Sequence, residues 1–350
     1  MKPFTFSPLA KKQWQRFKSI RRGYWSLILL SLTIVFSLFA ELLVNSRAIV
    51  VMHEGELFFP TYGAVIPGDT FGLEYAYETN YRELRQHYRD SGSNNWLIMP
   101  LVPYNPLETN FLDTGFPPYA PTIEHSHYLG TDSSGRDVAA RIVYGFRIAR
   151  SFSLLLLIFN YLIGVSVGSL MGFWGGTFDL IFQRLIEIWS NVPFLYIVMI
   201  LASIITPGFW TLVFIMILFG WMSMTWYMRT ATYKEKAREY VTASRALGAS
   251  NSRIIFRHIL PNTLSIIITF VPFSVAGGIT ALTALDYLGF GLPPPTPSWG
   301  ELLNQGIQNL ESPWIVSSVI AGMTFILVMV AFIGEAVREA FDPRKFTTYE

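Results

Sequence analysis

Six apolar segments, each about 20 residues long, constrain this chain of 350 residues more than any other feature. They lie near residues 24–45, 151–174, 185–206, 209–229, 263–286 and 313–336. A helix of about 20 residues crosses the hydrocarbon layer of a membrane with its backbone groups hydrogen-bonded internally. A mean hydropathy of +0.38 agrees with this interpretation. The sequence therefore predicts an all-α integral membrane protein with six transmembrane helices.

The first and third segments need separate arguments. A secretory signal peptide is the alternative for the first, but its apolar run exceeds the usual length of roughly 7–15 residues and no small-residue cleavage site follows. We therefore expect a retained membrane anchor. The third segment is the least regular, because Glu187, Asn191 and Pro193 lie near its start. Polar side chains and proline both weaken a spanning helix.

The distribution of charge predicts the orientation of these helices. Residues 1–22 carry seven basic residues and no acid, and residues 229–262 carry seven basic residues against two acids. Residues 46–150 instead carry twelve acids against eight arginines. Cytoplasmic loops of membrane proteins are enriched in Lys and Arg. Both termini and the segment 230–262 are therefore predicted to be cytoplasmic, and 46–150 is predicted to be external, which means periplasmic in a Gram-negative cell.

These predictions divide the chain into five parts. They are a basic cytoplasmic segment (1–23), a first helix (24–45), an external segment between the first two helices (46–150), a core of five helices (151–336) and a cytoplasmic tail (337–350). Pro, Tyr, Asn and Asp are frequent in 46–127, where we expect a small cap of short strands and loops. The cations and apolar residues of 9–22 suit either a helix on an anionic membrane surface or a solvated basic stub.

Several classes of chemistry find no support in the sequence. The absence of cysteine excludes disulfides, thiolate metal sites and thiol catalysis. The chain contains no G-x-x-x-x-G-K-[ST] phosphate loop, no H-E-x-x-H motif and no nucleophile elbow. Its net charge of +2 gives no indication of nucleic-acid binding. We expect no catalytic residue, metal site or cofactor in this chain, and His125 and His127 are interpreted as polar surface residues.

Residues 239–262 form a polar, positively charged island between apolar segments, here called the knob. The pattern predicts two short helices joined by a tight turn, with Gly248 in a left-handed cap. Ser250 or Asn251 is expected to cap the second helix. Pro261 is expected to open the next apolar helix, where its missing N–H costs little. A compact knob of this kind suits a partner's groove, and the alternative is an amphipathic connector that faces lipid.

A second motif lies where the external segment approaches the membrane. Residues 129–138 read Leu-Gly-Thr-Asp-Ser-Ser-Gly-Arg-Asp-Val and are called the external motif below. Its candidate site residues are Gly130, Thr131, Asp132, Gly135, Arg136 and Asp137. The composition is typical of a turn in which Asp132 caps its own backbone. Arg136 and Asp137 are expected to pair locally, and the motif lacks the ligand count that calcium needs.

Two apolar segments carry further patterns. Gly164, Gly168 and Gly172 recur every four residues in the second segment, which predicts close approach of another helix backbone. Pro and adjacent Gly in the fifth segment mark a place to bend.

The fifth segment also contains the candidate substrate pathway. Thr280 and Thr283 lie three residues apart on one helical face, and Asp286 lies near the outer end. An ionisable residue at this depth is costly unless it is paired or wet, so Asp286 is a candidate for a gate or for contact with a peptide amine. The alternative is a carboxylate that lies just outside the hydrocarbon and is solvated.

The knob resembles the coupling loop of binding-protein-dependent ABC importer permeases. That loop reads Glu-Ala-Ala, three residues, Gly, nine residues, Ile-x-Leu-Pro, and the matching positions are Ala243, Gly248, Leu260 and Pro261. Thr242, Ser244 and His258 replace the Glu, the second Ala and the Ile. The resemblance implies that this loop, with Arg253, contacts an ATPase. Glu239, one helical turn earlier, is a candidate for the missing carboxylate.

The external motif and residues 288–300 are similar to motifs of the dipeptide and oligopeptide permeases within this family. The basic start and residues 334–343 resemble a subgroup associated with uptake of the peptide microcin C. The resemblance implies a type I ABC importer permease in the bacterial inner membrane that forms half of a translocation path. The implied partners are a second homologous permease, ATP-binding subunits that hold ATP and Mg, and a periplasmic peptide-binding protein.

Other functions remain open from the sequence. A permease for nickel or for dipeptides only is one alternative within the family. A stand-alone secondary transporter predicts internal repeats with broken helices, and we find no such repeat. An intramembrane enzyme predicts clusters of His or carboxylates inside the apolar segments, and these are not present in the sequence.

Overall fold

The computed structural model describes residues 8–92, 94–112 and 115–341, so the predicted segments 1–23 and 337–350 are described only in part. Helices form most of the described chain. Those before the core are α1 (Pro8–Ser19), α2 (Arg21–Leu38), α3 (Ala40–Leu43) and α4 (Tyr81–Asp90). The others are α5 (Val138–Trp174), α6 (Gly176–Ser190), α7 (Phe194–Ile204), α8 (Phe209–Lys236), α9 (Glu239–Ala246), α10 (Asn251–Arg253), α11 (Leu260–Tyr287), α12 (Trp299–Gln308) and α13 (Pro313–Phe341).

Four of the described helices are long and apolar enough to cross a membrane. They are α5, α8, α13 and a continuous helix over Asn251–Tyr287 that contains α10 and α11. A fifth span is present if α6 and α7, which are bent by 62° at their junction, count as one crossing. The prediction of six spanning helices is therefore not confirmed. The first apolar segment is divided, because α2 ends at Leu38 and the four-residue α3 follows.

The third apolar segment is not the single helix predicted over 185–206. Helix α6 ends at Ser190, and α7 begins only at Phe194, after Pro193. A residue that precedes proline is disfavoured in the helical region of backbone space, and proline has no N–H to donate to a preceding turn. Together these two effects end α6 and change the direction of the chain before α7.

The glycines of α5 make the close helix contact that their spacing predicts. A Cβ added at Gly164 would lie 2.7 Å from the carbonyl oxygen of Trp221, and one added at Gly172 would lie 2.6 Å from that of Arg229. Both partners belong to α8. Any side chain at these positions would therefore force the two helices apart.

The external segment folds into a small cap around a three-stranded antiparallel sheet, as the sequence predicts for 46–127. The strands β1 (Val50–His53), β2 (Glu56–Phe58) and β3 (Trp96–Ile98) lie in the order β2-β1-β3. Tyr81 and Tyr88 of α4 pack under this sheet, and burial raises the pKa of each to about 12. The all-α class thus holds for the membrane core but not for the cap.

Candidate functional site

The knob contains the two helices and the capped turn that its sequence predicts. Gly248 has a φ of +79°, in the left-handed region, and follows Leu247, the C-cap of α9. The N–H of Ala249 donates to the carbonyl of Ser244 and that of Gly248 to the carbonyl of Arg245, which is a Schellman arrangement. Ser250, rather than Asn251, caps the second helix by accepting from the N–H of Arg253 at 3.3 Å.

One face of the knob is buried and the other is exposed. Apolar side chains from both helices pack against Phe173 at the end of α5, and they are Val241, Ile254, Ile255 and Ile259. The outer surface includes Leu247, whose side chain is 89% exposed. Glu239, Thr242, Ala243 and Arg253 are also exposed, whereas Ser244 is half-buried. The knob therefore presents a largely polar outer face with the apolar Leu247 at its turn.

Pro261 lies in the first turn of α11, as predicted, but α11 continues from the knob without an intervening loop. It follows a π-helical turn, Ile254–Ile259, in which the N–H of Leu260 donates to the carbonyl of Ile255, five residues earlier. A proline removes the hydrogen bond to the residue four positions earlier and clashes with its carbonyl, and a wider turn accommodates both effects. The second helix of the knob and the fifth apolar segment are consequently one uninterrupted helix.

The external motif folds into a turn with Asp132 at its centre. The N–H groups of Ser134 and Arg136 donate to Asp132 Oδ1 at 2.9 and 3.0 Å. Gly130 and Gly135 both have positive φ values, +70° and +77°. A Cβ added at Gly130 would lie 2.6 Å from the carbonyl oxygen of Tyr119, so this position also lacks room for a side chain. Thr131 is fully buried in the same turn.

Two arginines and two carboxylates form a buried ion-pair network, here called the outer network. Arg136 Nε lies 2.8 Å from Asp132 Oδ2, and Arg136 Nη2 lies 2.9 Å from Glu301 Oε1. Arg141 Nε lies 3.3 Å from Asp132 Oδ2, and its Nη2 pairs with Glu301. Asp132 and Arg141 are inaccessible to solvent. The predicted local pair of Arg136 with Asp137 is therefore wrong, since Arg136 pairs with Asp132 and Glu301.

Asp137 pairs with His127 and caps a helix. It accepts from the N–H of Ala140 at 2.8 Å and so caps the first turn of α5. Its other oxygen lies 2.7 Å from Nδ1 of His127, which is fully buried and stacks on Tyr104. The interpretation of His127 as a polar surface residue is wrong, because this carboxylate and this ring enclose it.

The outer network joins four parts of the fold. Arg141 also donates to the carbonyls of Pro295 and Thr296, in the loop between α11 and α12. Ser133 donates to Gln305 of α12, and Trp314 of α13 donates to the carbonyl of Thr131 at 3.1 Å. No motif in the sequence marked Arg141, Glu301 or Gln305 as site residues. An available signal was the segment 287–312, which contains acids but no Lys or Arg to pair with them.

Asp286 is placed differently from both interpretations of the sequence. It is buried, and it accepts from the N–H of Leu292 at 2.7 Å and from the hydroxyl of Ser298. Its side chain packs against Gly291 and Gly300. It therefore holds the loop that follows α11, and in this conformation it is neither solvated nor open to a substrate.

Thr280 and Thr283 do not form a common polar face. The Thr280 side chain is exposed, whereas Thr283 is buried. Each hydroxyl donates to the carbonyl four residues earlier in its own helix, Ala276 and Ile279 respectively. Among the residues that the structure describes, no group of three or more His, Asp or Glu side chains is placed to hold a metal ion.

The chain is similar to a known protein family and to several individual proteins. Residues 164–347 match the family described as Binding-protein-dependent transport system inner membrane component. That range includes the knob, Asp286 and Glu301, and it begins after the external motif.

The chain is 41% identical over 363 residues to the Peptidoglycan transport system permease protein YejE of Agrobacterium fabrum, covering 97% of this chain and 94% of that protein. It is 40% identical over 341 residues to the Inner membrane ABC transporter permease protein YejE of Escherichia coli strain K12, covering 97% and 98%. It is 34% identical over 242 residues to the Oligopeptide transport system permease protein OppC of Bacillus subtilis strain 168, covering 69% and 78%.

Proposed function

This chain belongs to the family of binding-protein-dependent transport system inner membrane components, and from that premise we propose that it is a permease subunit of an ABC importer for peptides. The resemblance found in the sequence motifs is confirmed at the level of the family. The observation that carries the proposal is the knob, which presents an exposed surface and is continuous with the helix Asn251–Tyr287. A partner that moves the knob would move that helix with it.

The energy for transport comes from partner subunits. The sequence contains no phosphate-binding loop, so ATP and Mg are bound and ATP is hydrolysed by separate ATP-binding subunits. The exposed residues Glu239, Leu247 and Arg253 contact such a subunit. The apolar contacts behind them, including Ile254 and Ile259 against Phe173, transmit the movement into the end of α5.

The other partners follow from the same premise. A second, homologous permease supplies the opposite wall of the path, and a periplasmic peptide-binding protein docks on the cap. The chain is multi-pass in the bacterial inner membrane, and both termini are cytoplasmic. Helix α1 rests on anionic lipid, since it carries Lys11, Lys12 and Lys18, and Lys18 Nζ lies 5.3 Å from the ring centre of the exposed Trp14.

The substrates proposed are short peptides and peptide-like compounds such as microcin C. The support is similarity along nearly the whole chain to two proteins named YejE, together with the similarity to an oligopeptide permease. Uptake of peptides by a strain that lacks this gene, with and without a plasmid copy, tests the substrate class. Restored uptake of nickel or of dipeptides alone would favour the narrower alternatives, and uptake without any ATP-binding subunit would favour a secondary transporter.

Docking of the ATPase is tested at the tip of the knob. Leu247→Asp places a charge on the exposed tip, and it should abolish co-purification of the ATP-binding subunits while the chain still inserts in the membrane. Leu101→Asp is a matched control, because Leu101 is 69% exposed but lies in the cap. Retention of the ATPase by the Leu247 variant, or its loss from the Leu101 variant, would contradict the assignment.

The orientation is tested with introduced cysteines, for which this cysteine-free chain is suited. The exposed residues Asn94 in the cap and Ser252 in the knob are convenient positions, whereas the neighbouring Ser93 lies outside the described residues. An impermeant maleimide should label a cysteine at 94 from the periplasm and one at 252 only from the cytoplasm. Labelling of both from one side would contradict the predicted topology.

A further inference from the structure

One face of the three-stranded sheet in the cap is apolar across all three strands. Met52, in the central strand β1, is opposite Leu57 of β2 and opposite Trp96 of β3. In the next row, Val50 is opposite Ile98. Residues that are opposite each other in neighbouring strands project from the same face of a sheet. These side chains therefore form one continuous apolar surface, here called the sheet face.

The opposite face of the sheet is already covered by the cap itself. Val51, Phe58 and Leu97 alternate with the residues of the sheet face, and they pack into the interior of the cap. Leu57 and Trp96, in contrast, are each about half exposed. A contiguous apolar patch on the surface of a domain is typical of a site that contacts another protein or a membrane.

Charge distinguishes these two kinds of partner. Residues 48–62 and 94–101, which contain the whole sheet, include two acids, Glu54 and Glu56, and no Lys or Arg. Both glutamates are exposed at the hairpin between β1 and β2, and neither carboxylate belongs to an ion pair of the described residues. Surfaces that lie on a bilayer carry Lys and Arg for the anionic headgroups. The sheet face instead fits a protein with an apolar docking surface and basic residues at its edge.

The size of the sheet face fits a partner that binds reversibly. Three strands about 4.8 Å apart, with about three residues each at a rise of about 3.3 Å, make a surface of about 14 Å by 10 Å. Stable interfaces bury about 800 Å² on each partner. A surface of this size is therefore the apolar centre of a weak complex rather than a permanent subunit interface.

We propose that the sheet face is the docking surface for a periplasmic peptide-binding protein. The proposal rests on the proposed function as a peptide permease and identifies which side of the cap that partner contacts. Leu57 and Trp96 pack against apolar side chains of the binding protein, and Glu54 and Glu56 attract Lys or Arg side chains at the edge of its docking surface. The attraction speeds the encounter, and the small apolar centre lets the binding protein leave after it has delivered its peptide.

Docking is measured with the complete complex in lipid nanodiscs and the purified binding protein of the same importer, loaded with a short peptide. Trp96→Asp should weaken this binding at least tenfold, since buried aromatic residues contribute most to interfaces. Phe116→Asp is the control and should leave binding unchanged, because Phe116 is 92% exposed but lies outside the sheet. Equal affinities of the Trp96 variant and the unmodified complex would overturn the proposal. Failure of the binding protein to bind the unmodified complex would overturn the proposed function, and the docking surface with it.

The contribution of the two acids is measured with a variant that leaves the apolar surface intact. Binding to the unmodified complex should weaken as salt rises from about 0.05 M to about 0.5 M, because salt screens charges. Glu54→Gln combined with Glu56→Gln should weaken binding several-fold at low salt and remove most of the salt dependence. Glu124→Gln, at an exposed acid outside the sheet, should change neither. The same salt dependence with and without the two acids would overturn the charge complementarity on which the proposal depends.

A fluorophore on the sheet face distinguishes the binding protein from other occupants. Ile98→Cys, labelled with a dye that is sensitive to polarity, should shift its emission to the blue when the binding protein is added, and spin-labelled lipid should not quench it. Quenching by spin-labelled lipid would place the sheet face on the membrane. Emission that is already shifted in the complex, and that the binding protein does not change, would place it against the second permease. Either result would overturn the proposal.

Discussion

The outer network and the knob differ in whether their charged side chains are buried or exposed. At the start of α5, Asp132, Arg136 and Arg141 are buried, Glu301 is half-buried, and all four are paired within the chain. At the other end of α5, the knob exposes Glu239, Arg253 and Leu247 to solvent. The charges of the outer network are therefore paired within the chain, whereas Glu239 and Arg253 of the knob face solvent. From this difference we expect the parts of α5, α12 and α13 that the outer network joins to move as one body.

The comparison predicts very different costs for removing a charge at the two ends. Removing one member of a buried ion pair leaves the other uncompensated and costs about 3–5 kcal/mol. Removing one member of an exposed pair costs about 0–1 kcal/mol, because water and salt screen the charges.

The largest expected effect is that of Arg141→Met. This change removes the guanidinium through which α5 contacts Asp132 and Glu301, together with the donors to the carbonyls of Pro295 and Thr296. We expect a loss of about 3–5 kcal/mol, measured as a lower midpoint of thermal unfolding in detergent. Arg184→Met is the control, since Arg184 is 74% exposed in its pair with Glu187. Equal midpoints for the two variants would remove the basis of the comparison.

The second largest effect is expected at Asp286, whose side chain accepts hydrogen bonds from the loop after α11. Asp286→Asn keeps one acceptor oxygen but places an amide NH₂ near the N–H of Leu292 or the hydroxyl of Ser298. We expect a loss of about 1–3 kcal/mol and faster proteolysis of the loop 288–298. Thr280→Val, on the exposed side of the same helix, should leave both unchanged. Normal stability of the Asp286 variant combined with altered peptide selectivity would restore its role in the substrate pathway.

The third change, at Gly248, should lower the free energy of unfolding less than the first two, but it should reduce the coupling of ATP hydrolysis to uptake more. Gly248→Val meets no steric obstacle, because a Cβ there would have no neighbour within 4 Å, but it must adopt a φ of +79°. A left-handed conformation costs a residue with a Cβ about 1–2 kcal/mol, so the turn should rearrange while the core stays folded. Uptake should fall relative to ATP hydrolysis. Gly248→Asn is the matched variant, since Asn tolerates this conformation, and it should retain coupling.

The structure of the knob could largely be predicted from the sequence, whereas the ion pairs of the outer network could not. The turn at Gly248 and the cap at Ser250 depend on neighbouring residues, so capping rules predict them. The π-helical turn before Pro261 was not predicted, because two ways of accommodating a proline, a new helix or a wider turn, fit the same letters. Glu301 lies 160 residues from Arg141 along the chain, and no local pattern pairs them. Asp286 was predicted to line a substrate pathway or to be solvated, and neither is correct, because its partners depend on how the following loop folds back.

The smallest effect is expected for an exposed ion pair, whose cost of removal can be compared with that of Arg141. Arg22 and Glu335 form an ion pair between the start of α2 and the last turns of α13, with Nη2 and Oε2 3.1 Å apart, and about half of each side chain is exposed. Glu335→Gln should change the free energy of unfolding by less than about 1 kcal/mol, and the effect should vanish at high salt, where charges are screened over a few ångströms. Salt should leave the cost of Arg141→Met nearly unchanged, because Arg141 and Asp132 are inaccessible to solvent. A salt-sensitive cost at both ends would mean that the outer network opens to solvent, and that the external end moves internally during transport.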